Sequence, residues 1–204
     1  GCSGSAESHV VNLGIEVNRY PVLVKPVSDS KEPFVLAFFG AFSWFANLDA
    51  LEYLIKDVWP EIKKANSDVV LRIAGRGIPE WMSGVADSRL QVLGRVDSIE
   101  DFLRDVDVVL SPIRIGGGIR LKMLESLAYG KAVLSTTVGL EGLLPELVEL
   151  VHVADSPEDF ARQVHLLASD RVSTQRGGEK ASHLVRSTYD ARNLTFLFSN
   201  RCSS

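Results

Sequence analysis

Residues 111–130 read SPIRIGGGIRLKMLESLAYG, and the fold predicted for the whole 204-residue chain follows from this stretch. The apolar run at 106–110, interrupted by one acid, leads into it and predicts a buried strand. Three glycines at 116–118 come next, followed by a segment with helical spacing that ends at Gly130. A strand, a glycine loop and a helix in this order turn backbone N–H groups and a helix N-terminus toward an anion. Glycine lacks a Cβ atom, so a phosphate can approach such a loop closely.

Basic side chains surround the glycine loop, although the formal net charge of the chain is −4: Arg114, Arg120 and Lys122. If the helix starts at about Arg120, a rotation of 100° per residue gives it an apolar and a polar face. The apolar face would hold Leu121, Met123, Leu124, Leu127 and Ala128, and the polar face Lys122, Glu125, Ser126 and Tyr129. The alternative is a glycine-rich turn with solvated bases and a surface pair of Lys122 with Glu125, worth a few tenths of a kcal/mol. Spacing alone leaves both interpretations open, because glycine-rich turns are common.

Composition is that of a globular domain with 46% hydrophobic and 24% charged residues. No apolar run reaches the roughly 18–20 residues of a membrane span. The net charge argues against a nucleic-acid binder, which would usually carry a broad basic face. The two cysteines, Cys2 and Cys202, form neither a disulfide framework nor a zinc-binding spacing, so a reducing, cytoplasmic compartment is expected.

Apolar runs alternate with helical segments along most of the chain. Six strands are predicted, at 34–39, 69–74, 90–93, 106–110, 132–135 and 147–153. The alternation predicts an α/β fold with a Rossmann-like, doubly wound parallel sheet of about six strands. One domain is expected over 9–204, with a leading segment and linker at 9–33 and C-terminal helices at 174–204. Residues 1–8 are interpreted as a flexible lead-in or a cloning remnant.

Capping residues and a proline predict where several helices begin or are interrupted. Asn47, Ser98 and Ser156 are the expected N-caps, and Pro60 predicts a kink or a division in the helix that follows Asn47. Glycines come directly after the apolar runs, at Gly40, 75–77, Gly94, 116–118 and Gly139. The carboxyl ends of parallel strands share one edge of a sheet, where ligands bind, so these glycines should gather there. The alternative is that turns between strands and helices simply favour glycine.

Several spaced motifs, in this order, resemble the C-terminal, nucleotide-sugar-binding lobe of the glycosyl transferases group 1 (family GT4). These are retaining enzymes with the two-lobed GT-B architecture. The most specific motifs are DVVLSP at 107–112 and KMLESLAYG at 122–130. Supporting motifs lie at 13–20, 39–40, 70–77, 92–96, 131–135 and 138–142.

The resemblance implies a role for each matching residue. Glu125 would hold the ribose hydroxyls of the donor nucleotide, and a carboxylate is a suitable acceptor for two adjacent hydroxyls. The glycine backbone and the helix N-terminus would cradle the diphosphate, to which Arg120 and Lys122 would add positive charge. The implied donor-binding set is Gly40, Arg95, Gly116, Gly117, Gly118, Arg120, Lys122 and Glu125.

The sequence departs from the family pattern in three places, the first of which is Leu13, where the family usually has asparagine. The family often carries a glutamate eight residues before the one at 125, where this chain has Gly117. The usual contact to the donor sugar is therefore not expected from that position. A basic pair that often follows the first strand is absent from 40–47, so more of the phosphate charge should rest on Arg120 and its neighbours. The three aromatic residues of this loop are expected to be packed, the alternative being contact with a ligand or with the other lobe: Phe42, Trp44 and Phe45.

The implied activity is transfer of a sugar from a nucleotide-diphosphate sugar to an acceptor in glycan or polysaccharide synthesis. The resemblance implies no metal and no other cofactor, and it assigns no catalytic residue to this lobe. The partners are the donor and an N-terminal lobe with the acceptor site, which lies outside these residues, so the fragment should bind donor without turnover. The full-length protein could associate peripherally with the inner face of a membrane. Two alternatives remain: a lobe of a GT-B-like sugar-nucleotide epimerase, and a non-catalytic α/β module that binds a partner.

Overall fold

The computed structural model describes residues 14–25, 32–85 and 87–192. Six parallel strands form one sheet in the order β3-β2-β1-β4-β5-β6. The strands are β1 (Phe34–Ala41), β2 (Val69–Arg76), β3 (Leu90–Gly94), β4 (Val108–Ser111), β5 (Ala132–Ser135) and β6 (His152–Val153). This arrangement confirms the predicted doubly wound α/β fold.

Helices cover both faces of the sheet. They are α1 (Phe45–Tyr53), α2 (Trp59–Ala65), α3 (Ile99–Arg104), α4 (Leu121–Ala128), α5 (Pro145–Val148), α6 (Pro157–Ser169) and α7 (Arg171–Thr188). Within the described ranges, no helix is long and apolar enough to cross a membrane. The predictions for residues 1–13, 26–31 and 193–204 lie outside the described residues.

The central strand β1 explains why its sequence shows no polar alternation. Phe34, Leu36 and Phe38 face one core, which contains side chains of α1, α2 and α6. The residues between them face the second core, which contains side chains of α3, α4 and α7: Val35, Ala37 and Phe39. A strand that is buried on both faces has no position for a polar side chain.

Two of the three predicted N-caps are confirmed. The backbone N–H of Asp101 donates to Ser98 Oγ at 3.1 Å, and that of Asp159 donates to Ser156 Oγ at 3.1 Å. Asn47 is not a cap, because α1 already starts at Phe45 and Trp44 takes the N-cap position. The side chain of Asn47 instead donates back to the carbonyl of Ala41 at 3.0 Å.

The division predicted at Pro60 is present as a π-helical turn, Leu54–Val58, between α1 and α2. Proline lacks an N–H group, and its ring clashes with the carbonyl four residues earlier, so the regular α-helical ladder cannot pass through this position. The wider π-helical turn is followed directly by α2, which begins with Trp59 and Pro60.

The strand predicted at 147–153 is largely wrong. The helix α5 occupies Pro145–Val148, and only His152–Val153 pairs with β5. Pro145 fixes φ near its helical value at the first helical position, so the apolar residues after it start as a helical turn. The last described helix, α7, starts at Arg171, three residues before the predicted boundary.

Candidate functional site

A pocket opens at the carboxyl edge of the sheet, where β1 and β4 lie side by side. The chain runs outward from β1 through β2 to β3, then crosses to β4 and continues outward in the other direction. The connections therefore leave a crevice between β1 and β4, the usual ligand position in open α/β sheets. The cavity has a volume of about 560 Å³, which is within the range of small-ligand sites. Its wall includes Phe39, Gly40, Trp44, Asn47, Arg76, Ile119, Arg120, Leu121, Lys122 and Glu125.

The helix α4 begins at this pocket with an uncapped N-terminus. Its first backbone hydrogen bonds run from the N–H groups of Met123 and Leu124 to the carbonyl of Arg120, at 2.9 and 3.3 Å. The N–H groups of Leu121 and Lys122 are left for an external acceptor, as in any first helical turn. The first turn has no acidic residue, and Arg120 in the N-cap position makes no side-chain cap. The partial positive charge of this helix end is thus available to an anion.

Arg120 holds the glycine loop in place and retains one unused donor. Its Nη2 donates to the carbonyls of Ile115 and Gly116, at 3.3 and 2.5 Å. Its Nε is buried and has no hydrogen-bond partner. A Cβ atom at position 116 would lie 3.2 Å from Nη2, so the absence of a side chain there lets the guanidinium lie against the loop. The guanidinium is thereby fixed in the pocket wall, where its positive charge would face an anion in the pocket.

Lys122 is packed into the pocket wall and is not on a solvated face. Its Nζ donates to Asn47 Oδ1 at 2.8 Å and to the carbonyl of Phe39 at 3.4 Å, and lies 4.4 Å from the ring centroid of Phe38. Burial, together with the nearby charge of Arg120, lowers the pKa of Lys122 to about 7. An anion beside this amine would favour its charged form.

The two faces assigned to α4 from helical periodicity are partly wrong. Leu121 is 47% exposed, whereas Ser126 and Tyr129 are buried. The reason is that α4 contacts β5, α7 and the segment that leads into the domain, so its burial extends around most of the helix. The surface pair of Lys122 with Glu125 does not form, because each side chain has another partner.

Glu125 lies one turn further along α4, in the wall of the same pocket. Its Oε1 accepts a hydrogen bond from the Tyr20 hydroxyl at 3.0 Å. Burial raises the pKa of Glu125, and the hydrogen bond from Tyr20 opposes that shift because it stabilises the carboxylate. Tyr20 was not among the predicted site residues: it ends the supporting motif at 13–20, but nothing in the sequence pairs it with Glu125, 105 residues away.

The predicted site residues are therefore brought together only in part. Gly40, Arg120, Lys122 and Glu125 share the pocket wall. The others do not line it: Arg95, Gly116, Gly117 and Gly118 are exposed, and their role in binding stays a prediction. Arg114 is not part of the pocket wall; it forms a pair with Asp49 at 2.7 Å, which raises the pKa of Arg114.

In the loop that follows β1, only one of the three aromatic side chains that were expected to be packed is buried. Phe42 is buried, but Trp44 and Phe45 are 67% and 73% exposed, and Trp44 belongs to the pocket wall. Gly40 lies opposite Gly75 in the β1–β2 register. A Cβ atom at Gly75 would lie 1.8 Å from the carbonyl oxygen of Gly40, so the two backbones touch at the floor of this edge.

A second turn packs against the glycine loop from the β5 side. Gly142 has φ +84°, and a Cβ atom there would lie 2.8 Å from Ile119 Cγ1. The preceding residue, Glu141, places Oε2 3.4 Å from the position that a Cβ atom of Gly117 would occupy. A carboxylate thus lies beside Gly117, the position at which the family often carries a glutamate.

Among the residues with described positions, no three His, Cys, Asp or Glu side chains are grouped so that they could hold a metal ion. The expectation of a reaction without metal or other cofactor stays a prediction.

The sheet order and the pocket at its reversal point define a Rossmann-like α/β domain with a candidate ligand pocket. The family model described as glycosyl transferases group 1 matches residues 33–170, and the chain belongs to that family. The chain is 25% identical over 157 residues to an uncharacterized 44.6 kDa protein in the cps region of Klebsiella pneumoniae. That match covers 72% of this chain and 40% of the Klebsiella protein, so the chain spans well under half of that relative.

Solved structures share the fold at low sequence identity. HepE of Anabaena, crystallised in complex with UDP-glucose, is 16% identical with a TM-score of 0.69, over 93% of this chain and 56% of HepE. The C-terminal domain of LpcC, a glycosyl transferase group 1 family protein from Francisella tularensis, is 20% identical with a TM-score of 0.63. That match covers 87% of this chain and 100% of the LpcC domain. Sucrose-phosphate synthase from Thermosynechococcus elongatus gives a TM-score of 0.72 at 15% identity, over 98% of this chain and 53% of the synthase.

Proposed function

We propose that this chain is the donor-binding half of a retaining glycosyltransferase that uses a nucleotide-diphosphate sugar. The observation that carries the proposal is the pocket between β1 and β4, where an uncapped helix N-terminus, Arg120 and Lys122 lie together and Glu125 follows one turn later. Positive groups for a diphosphate and an acceptor for hydroxyl groups are thus arranged along one wall. Family membership and the complex of HepE with UDP-glucose support this choice of ligand.

The chemistry of sugar transfer explains why such a wall would be useful. The bond between the sugar C1 and the diphosphate oxygen breaks, and its electron pair stays on the diphosphate while positive charge develops on the sugar ring. Fixed N–H donors and a guanidinium aimed at the leaving oxygens stabilise this charge without reorganising during the reaction. The acceptor site and the groups that act on the acceptor belong, in this proposal, to a further lobe. The retention of configuration, metal independence and cytoplasmic location are parts of the same proposal.

Titration of the chain with UDP, GDP and ADP in a calorimeter tests the proposed function and identifies the base. Binding of at least one nucleoside diphosphate is expected, with no measurable sugar transfer by the chain alone. Absence of binding for all three would contradict the donor-site assignment and favour a module that binds a partner. Turnover by the isolated chain would contradict the need for a second lobe.

Replacement of Glu125 by alanine should remove recognition of the ribose. Hydrogen bonds to a charged group are worth about 1.5–3 kcal/mol, which corresponds to a loss of affinity of roughly 10- to 100-fold. The measurement compares a ribonucleoside diphosphate with its 2′,3′-dideoxy analogue. The wild-type chain should prefer the ribonucleotide, and Glu125→Ala should bind both equally. Equal binding of the two by the wild-type chain would reject this role of Glu125.

Binding of the diphosphate should be coupled to proton uptake by Lys122. Because its pKa is about 7 in the free chain, the amine is mostly neutral at about pH 8, and a bound diphosphate should raise that pKa and draw in a proton. Calorimetry in two buffers with different ionisation enthalpies measures the uptake. Lys122→Met, which keeps most of the aliphatic stem, should abolish it. Undiminished uptake in that variant would show that another group takes the proton.

A further inference from the structure

We propose that Tyr20 is a positioning residue of the donor site, whose hydroxyl orients the Glu125 carboxylate for the ribose. The proposal rests on the proposed function and adds a residue outside the motifs that match the diphosphate and ribose sites. It starts from a contact that joins the segment leading into the domain to the pocket wall. Tyr20 Oη donates to Glu125 Oε1 at 3.0 Å.

This hydrogen bond is the feature that fixes the carboxylate. Among the described residues, Glu125 forms no salt bridge, and its side chain has no hydrogen-bond partner other than Tyr20. With Oε1 engaged, Oε2 is left as the acceptor for a ligand. Two adjacent ribose hydroxyls can both donate to a carboxylate that presents its free lone pairs in one direction. Without the phenol, the side chain could rotate about its terminal torsion, which has no sharp preference.

The phenol itself is held in place because residues before and after Tyr20 in the sequence are bonded to the rest of the domain. The Arg186 guanidinium on α7 donates to the carbonyls of Val17, at 3.0 Å, and of Tyr20. The N–H of Leu23 donates to the carbonyl of Tyr129 at 2.8 Å. The Tyr20 ring also packs edge-on against the ring of Tyr129, with centroids 5.2 Å apart. The leading segment at 14–25 is thereby fixed to α4 and α7, and the hydroxyl has a defined position below Glu125.

The direction of the hydrogen bond is also defined. Burial and the neighbouring carboxylate raise the pKa of Tyr20 to about 12, so the phenol keeps its proton at neutral pH and acts as the donor. Glu125 then remains the acceptor. A purely structural role for Tyr20 would need its ring, which packs on Tyr129, but not its hydroxyl.

Tyr20→Phe separates the two roles, because it keeps the ring and removes the hydroxyl. Tyr53→Phe is the matched control, since its hydroxyl is bonded only to the backbone carbonyl of Asp155, at 3.4 Å, outside the pocket wall. Affinities for a ribonucleoside diphosphate and for its 2′,3′-dideoxy analogue are measured for wild type, Tyr20→Phe, Tyr53→Phe, Glu125→Ala and the Tyr20→Phe/Glu125→Ala double variant.

Tyr20→Phe should lower the affinity for the ribonucleotide by roughly 3- to 10-fold, the effect of one hydrogen bond. The affinity for the dideoxy analogue should not change. The double variant should bind no more weakly than Glu125→Ala alone, because the phenol acts only through that carboxylate. Tyr53→Phe should match wild type. An equal loss for both nucleotides, or a loss that adds fully to that of Glu125→Ala, would overturn the role of Tyr20.

The same measurements distinguish an error in the role of Tyr20 from an error in the proposed function. If the wild-type chain binds the ribonucleotide better than the dideoxy analogue while Tyr20→Phe is unchanged, only the role of Tyr20 is wrong. If the wild-type chain binds no nucleoside diphosphate, the proposed function and the role of Tyr20 are both wrong.

Discussion

Replacing Arg120 with alanine is expected to raise the Kd for a nucleoside diphosphate by roughly 10- to 100-fold, the effect of losing charge-assisted hydrogen bonds. Affinity for the corresponding nucleoside should change by no more than a factor of about 3. The reason is that the guanidinium lies in the pocket wall and would place a fixed positive charge beside the diphosphate. Its Nη2 also holds the carbonyls of Ile115 and Gly116, so its removal would loosen the glycine loop.

Arg114→Ala is the matched control for this prediction. Arg114 also follows β4 and carries the same charge, but it pairs with Asp49 and lies 4.4 Å above the Tyr53 ring. Its removal should change the Kd for the diphosphate by no more than a factor of about 3, because exposed charges are screened by salt. Equal losses for Arg120→Ala and Arg114→Ala would show that net charge, and not a placed guanidinium, governs binding.

Alanine substitutions at two adjacent glycines of α7 should change the free energy of unfolding in opposite directions. A Cβ atom at Gly178 would lie 2.3 Å from the carbonyl oxygen of Gly130 and 2.8 Å from the backbone nitrogen of Ala132. Gly178→Ala must push α7 away from the turn between α4 and β5, and should lower the free energy of unfolding by about 1–3 kcal/mol. The same displacement would disturb α4, which follows Arg120 and carries Glu125.

Gly177 lies in the same helix but faces open space, because a Cβ atom there would meet no neighbouring atom within 4 Å. Gly177→Ala should therefore raise the free energy of unfolding by about 0.5–1 kcal/mol, the gain of alanine over glycine in a helix. Urea denaturation of both variants measures the two changes. Stabilisation of the protein by both substitutions would contradict the close approach of α7 to the α4–β5 turn.

The parts of the fold that depend on local sequence were predictable. The apolar run at 34–39 predicted a strand, and β1 contributes side chains to both cores. Ser98 and Ser156 cap their helices because a cap needs only the next three residues. Asn47 failed as a cap because the preceding loop is one short turn, so the helix begins before it.

The parts of the site that depend on tertiary contacts were not predictable. Helical periodicity put Lys122 on a solvated face, but Asn47 and the end of β1 enclose its amine. The partner of Glu125 comes from a segment 105 residues away, and periodicity carries no information about such a pairing. Motif spacing located the glycine loop and the helix correctly. The hydrogen-bond partners of their side chains could be identified only from the folded structure.

The most direct test of the central claim is to follow backbone amide signals by NMR while a nucleoside diphosphate is added. A diphosphate bound at the mouth of α4 predicts that the largest shifts belong to the amides of Leu121 and Lys122, with Gly40 across the pocket also affected. Binding elsewhere, for example with the largest shifts around Lys131 and Arg171 on the cavity at the opposite edge of the sheet, would contradict it.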